Sequence, residues 1–106
     1  MNEKKRLKNT SDYHQSLLNA LADKTEAIAY LKVALAEYET DQDADVFMLA
    51  LRNVAQAQGG IAKLAKRTEL DRVHLYRILS SQGNPRFLTL DNILRTMGFR
   101  LSIEAA

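Results

Sequence analysis

Along most of this chain apolar residues recur at the three- and four-residue spacing of an amphipathic helix, in segments separated by turn-forming residues. The clearest case is Ile28, Leu31, Leu35 and Tyr38, a repeat that predicts the buried face of a long helix. Asp23 stands where an N-cap belongs, with Glu26 three residues later as in a capping box. Ahead of it, Leu17, Leu18 and Leu21 form the apolar side of a shorter helix starting near Asp12. Residues 1–9, polar and charged with a single leucine, read as a flexible basic tail, which leaves residues 10–106 as one helical domain.

From Glu39 to Asp45 there is no large apolar side chain, so a loop is predicted, with Asp43 or Asp45 capping the next helix. Phe47, Ala50, Leu51 and Val54 give that helix its core face, and Gly59-Gly60 ends it near Gln58. Two short helices follow, Ile61–Thr68 and Arg72–Ser81, before Gln82-Gly83-Asn84-Pro85 breaks the chain. Thr89 is placed to cap a last helix carrying Leu90, Ile93, Leu94 and Met97, with Gly98 just past its end. Beyond it Phe99, Leu101 and Ile103 alternate with Arg100, Ser102 and Glu104, the period of a short C-terminal β-strand. The expected fold class is therefore all-α, about six short helices and one strand. A lone strand has no sheet partner in a helical domain, so either it pairs with its twin in a homodimer or it is a disordered tail.

Composition narrows the function classes. The 106 residues suffice for one modest core. Cysteine is absent, which excludes a disulfide framework and thiolate metal sites. No apolar run approaches the roughly 20 residues needed to span a bilayer. The basic start is not followed by an apolar stretch of the signal-peptide kind, so no membrane association is expected and the cytoplasm is the default location. His14 and His74 are far apart with no ligand cluster around them, and no nucleophile and base share a motif. Asp41-Gln42-Asp43-Ala44-Asp45 starts like a calcium loop, but the sixth position is Val46 and the twelfth Arg52. An enzyme, a metal site, a cofactor and a small-molecule substrate are all unsupported.

Charge is uneven along the chain. Residues 13–58 carry three basic and seven acidic side chains, whereas residues 59–106 carry eight basic and four acidic. A polyanion suits the C-terminal half and a basic partner the middle, although both surfaces are equally consistent with plain solvation.

The segment 61–80 concentrates the chemistry. Ile61, Leu64 and Ala65 face inward on its first helix; Glu69, Leu70 and Asp71 make a turn; Asp71 is a good N-cap for the second helix. On that second helix Leu75, Ile78 and Leu79 share one side, and Arg72, Val73, Tyr76, Arg77 and Ser80 share the opposite one. Guanidinium forks, an aromatic and a hydroxyl on an outward face suit guanine edges, phosphates and thymine methyls. Small Ala65 suits two short helices crossing closely.

These residues resemble the helix-turn-helix of the lambda-repressor/Cro class, with Ala65 at its small inner position and Leu75 at its buried aliphatic one. That resemblance implies base reading by Arg72, Val73, Tyr76, Arg77 and Ser80, and phosphate contacts from the Gly60–Ile61 helix start and from Asn84 and Arg86. Lys63, Lys66 and Arg67 stay open between phosphate contact and solubility. Glu69 departs from the class, which favours glycine at that turn; a left-handed glutamate costs on the order of 1 kcal/mol. More widely, Ala29-Tyr30-Leu31, the Asp-rich loop, Gly59-Gly60, Leu75–Ser80, Gly83-Asn84-Pro85 and Thr89-Leu90 are together similar to the HigA-like addiction-module antidote family. The family resemblance implies an antitoxin that represses its own operon as a homodimer on double-stranded operator DNA and neutralises a RelE/ParE-superfamily (HigB-like) toxin. A stand-alone phage-type repressor and a toxin-masking protein without specific DNA binding are the competing expectations.

Overall fold

The computed structural model describes residues 3–80 and 82–106, with side chains described from Asp12 onward except at Ser81. Six helices follow one another: α1 (Glu3–Leu21), α2 (Lys24–Asp41), α3 (Asp45–Ala57), α4 (Ile61–Thr68), α5 (Arg72–Ile78) and α6 (Phe87–Thr96). The tail expected over residues 1–9 falls partly on residues 1 and 2, outside the described residues; from Glu3 the backbone is helical, ahead of the predicted start near Asp12.

Local chemistry places most helix ends. Asp23 is extended and its carboxylate accepts the Glu26 N–H at 3.1 Å, as the capping pattern predicts. Asp41 and Asp43 each accept the N–H two residues on, at 2.9 and 3.0 Å, so the acidic loop folds through two Asx turns. Gly59 and Gly60, at φ +121° and +94°, end α3 and aim α4 across it. Helix α6 begins at Phe87 with Arg86 as N-cap, three residues before the predicted cap Thr89, because the chain is already extended at Arg86 and turns helical from the next residue.

The core is organised around α3, which packs against α1, α2 and α4, while α4 holds α5 and α6. Leu51, Val54, Leu75, Leu79 and Ile93 are its largest fully enclosed side chains. On α2 the buried residues are Ala27, Leu31 and Ala34; of the predicted face Ile28, Leu31, Leu35 and Tyr38, Leu31 is buried and Tyr38 half-buried, while Ile28 and Leu35 remain 42% and 39% exposed. Alanines let the two helices approach closely, which turns the bulkier neighbours to the rim. Asn53 then donates to the Tyr30 hydroxyl at 3.0 Å, and Gln58 donates to the Leu21 and Ala22 carbonyls at 2.7 and 3.0 Å. Together these bonds tie α3 to α2 and to the end of α1.

The C-terminal strand is not formed. Gly98 adopts φ +88° and Phe99 donates its N–H to the Leu94 carbonyl at 2.9 Å, folding the chain back over α6. Residues 99–106 then run without regular structure, and Ile103 is 99% exposed. A strand requires a ladder partner, and among the described residues this chain offers none.

Candidate nucleic-acid interface

Helices α4 and α5 meet across a three-residue turn. Ile61, Leu64, Ala65 and Thr68 are the buried side of α4, with Thr68 donating its hydroxyl to the Leu64 carbonyl at 2.8 Å. Glu69 adopts the left-handed conformation at φ 61° and donates its N–H to the Ala65 carbonyl, so it makes the turn that glycine would make more cheaply. Asp71 returns to extended backbone and its carboxylate accepts the His74 N–H at 3.1 Å. From α6, Asn92 donates to the Thr68 carbonyl at 3.3 Å, fixing the end of α4 against α6.

Behind α5, Leu75 and Leu79 are wholly buried and Ile78 nearly so. In front, Arg72, Val73, His74 and Arg77 are exposed, Val73 to 65%. Val73 matters here, since a branched apolar side chain held in solvent on a short helix is free to meet an apolar group of a ligand. Two of the five predicted residues differ. Tyr76 is half-buried against the core, and the Arg52 guanidinium of α3 stands 5.2 Å from its ring centroid. Ser80 lies beyond the end of α5, half-buried, with its hydroxyl donated to the Arg77 carbonyl at 2.8 Å. The helix stops at Ile78 rather than Ser81 because Leu79 leaves helical geometry, at φ −87° and ψ 58°, to enter the core; Ser81 lies outside the described residues.

The four predicted phosphate-contact positions divide into two places. Asn84 and Arg86 are exposed and, with Arg77 and His74, line one open cleft of about 530 Å³ at the C-terminal end of α5. Gly60 and Ile61 begin α4. The Gly60 N–H is already donated to the Ala55 carbonyl at 3.0 Å, and the Ile61 side chain is buried. What this helix start offers outward is the set of first-turn amides from Ile61 onward, which no helix can satisfy internally.

Lys63 and Arg67 belong to a different cleft, of about 330 Å³, which they line with Lys24 of α2 and Arg95 of α6. The Lys63 stem lies against Gly59, where a Cβ would sit 2.8 Å from its Cδ. Arg95 is paired with Asp91 at 3.1 Å. Sequence reasoning missed Lys24 and Arg95 here, because nothing in their spacing announces that the ends of α2 and α6 converge on α4. It also missed Arg52, a lone cation in an acidic stretch, and the exposed pair Phe87 and Leu88, at 68% and 77%, on the first turn of α6.

No helix among the described residues is long and apolar enough to cross a membrane. Residues 11–105 match the family described as "Probable addiction module antidote protein". The match takes in nearly the whole chain, and the chain belongs to that family. No curated protein and no solved structure matches it.

Proposed function

We propose that this member of the addiction-module antidote family is a two-task protein: an antidote to a cognate toxin and a sequence-specific DNA-binding repressor of its own operon. Membership of the family implies the toxin partner. The DNA-binding task is carried by one observation, the division of α5 into a buried back of Leu75 and Ile78, continued by Leu79 just past its end, and a front of exposed Arg72, Val73 and Arg77. Such a helix, anchored by its rear and capped by Asp71, enters a major groove with its N-terminal half leading.

In this reading the α4–turn–α5 unit is a helix-turn-helix. Arg72 and Arg77 present guanidinium forks to guanine O6 and N7 or to flanking phosphates, and Val73 meets a thymine methyl. Asn84 and Arg86, sharing a cleft with Arg77, hold the adjoining phosphate, and the first-turn amides of α4 hold another on the far side. Tyr76 keeps its ring on Arg52 and supports this face, reaching the DNA with its edge alone; Ser80 closes the helix end. Inverted-repeat operators match two-fold protein symmetry, so the reading includes a homodimer. The toxin is of the RelE/ParE (HigB-like) kind, a basic protein suited to the acidic side chains between α2 and α3.

Family membership supports an antidote over a stand-alone phage-type repressor. A masking protein without specific DNA binding is the rival that experiment separates. A gel shift with the chain's own upstream DNA and a scrambled duplex of equal length decides it. The proposal expects affinity for the upstream DNA at least a thousandfold tighter than for the scrambled duplex, by the usual specific-to-non-specific ratio. Equal, steeply salt-sensitive binding to both duplexes contradicts it.

A further inference from the structure

Four cations converge on a cleft to which the reading of α5 gives no task. Lys24 from the start of α2, Lys63 and Arg67 from α4, and Arg95 from the end of α6 line this space of about 330 Å³. All four are exposed, and no carboxylate lies in the lining among the described residues. Arg95 is the one of the four with an ion pair there, to Asp91, which stands outside the cleft. Two of the ammonium groups are placed by glycines. The Lys24 amine lies 5.8 Å from the Phe99 ring centroid and against Gly98, where a Cβ would collide with it. A Cβ on Gly59 would likewise crowd the Lys63 stem. A cleft lined by one sign of charge focuses the field and raises the local concentration of counter-ions. Its ligand is therefore an anion.

We infer that this cleft holds the phosphate backbone of the duplex where it runs on from the start of α4, outside the groove segment that α5 reads; the inference rests on the proposed DNA-binding function. Continuity selects this ligand. Gly60 and Lys63, both in the lining, belong to the helix start whose first-turn amides are assigned a phosphate above. A strand leaving that phosphate meets Lys63 and then Arg67, one turn further along the same face of α4. Lys24 and Arg95 close the far side, Arg95 contributing less because Asp91 already engages it. Ammonium and guanidinium donors reaching from three helices suit phosphodiester oxygens. Such contacts position the protein and carry no sequence information, so the cleft adds affinity and leaves base selection to α5.

The test is the salt dependence of binding by the full chain to the upstream duplex and to a scrambled one. Lys24→Gln, Lys63→Gln and Arg67→Gln are measured singly and together, beside Lys32→Gln, which removes an exposed cation of α2 that does not line the cleft. Each phosphate given up lowers the slope of log affinity against log salt by about 0.9. Each single variant is therefore expected to lower it by about one and the triple variant by about three, equally on both duplexes, with Lys32→Gln unchanged. Circular dichroism checks that each variant keeps its helices. A triple variant that behaves like Lys32→Gln overturns the inference, and so does a loss confined to the upstream duplex. Tripolyphosphate titrated into the protein without DNA separates the two sources of phosphate. If the triple substitution abolishes its binding while the DNA slope stays unchanged, the cleft takes a free polyphosphate, and the assignment to duplex backbone falls. The slope is read on scrambled DNA as well, so it does not depend on sequence selection. A slope that falls as expected in a protein with no preference for upstream DNA counts against the proposed function alone. Preference for upstream DNA with an unchanged slope counts against the cleft alone.

Discussion

The guanidinium of Arg52, on α3, stands 5.2 Å from the centroid of the Tyr76 ring, on α5. The pair spans 24 residues of sequence and couples the outward helix to the body of the domain through a cation–π contact. It also fixes what Tyr76 can do: its ring is a wall of the exposed face rather than a free probe. Arg52→Ala is expected to destabilise the fold by about 0.5–1 kcal/mol, the usual range at partly exposed sites, in a urea titration. The same variant should bind DNA less specifically, because Tyr76 then sweeps the face that Arg72 and Arg77 present.

The back of α5 gives a larger effect. Leu75 is wholly buried and Leu75→Ala opens a cavity behind the helix, which costs roughly 2–5 kcal/mol by the range for core leucines. Thermal unfolding is expected to shift down by many degrees, with DNA binding recovered at low temperature. A Leu75→Ala protein with unchanged stability would mean that α5 is not anchored where it stands.

At the turn, Glu69 holds φ 61°, a region costing about 1–2 kcal/mol for a residue with a Cβ. Glycine removes that cost and restores part of it by its freedom in the unfolded chain, about 0.5–1 kcal/mol. Glu69→Gly is therefore expected to stabilise the protein by up to about 1 kcal/mol, and Glu69→Val to destabilise it by at least as much. Chemical denaturation of the three proteins checks the order Gly, Glu, Val.

The phosphate-holding role proposed for Arg86 has its own signature. Arg86→Ala should weaken binding to upstream and scrambled duplexes by the same factor and reduce the slope of log affinity against log salt by about one. A loss confined to the upstream duplex would make Arg86 a base-reading residue.

What the sequence showed and hid follows from the range of the interactions involved. Asp23 and Asp71 were legible as caps because a cap involves only residues within three positions of each other. The same locality made Gly59-Gly60 legible as a helix stop and Leu75, Ile78 and Leu79 as the rear of α5. The buried face of α2 was legible at Leu31 and Tyr38 but not at Ile28 and Leu35, because periodicity weights bulk, whereas packing against α3 selected small Ala27 and Ala34. The half-burial of Tyr76 was not legible because the residue that engages it, Arg52, lies in another helix and in a stretch of opposite charge. The alternation after Gly98 was visible, but a strand is a property of two segments, and the second is not among the described residues of this chain. Of the candidate site, the exposed trio of Arg72, Val73 and Arg77 was legible; the two separate clefts that divide the cations of α4 from those beyond α5 were not.

The most direct measurement is fluorescence anisotropy of Arg77→Ala beside the unaltered protein, on the upstream duplex and on a scrambled one at fixed salt. An arginine reading one base costs roughly 1–3 kcal/mol on the upstream duplex when removed, and far less on the scrambled one. A fall in discrimination between the two duplexes of about five- to a hundredfold is the predicted result. Equal losses on both, or no loss on either, would contradict the assignment of α5 as the helix that reads sequence.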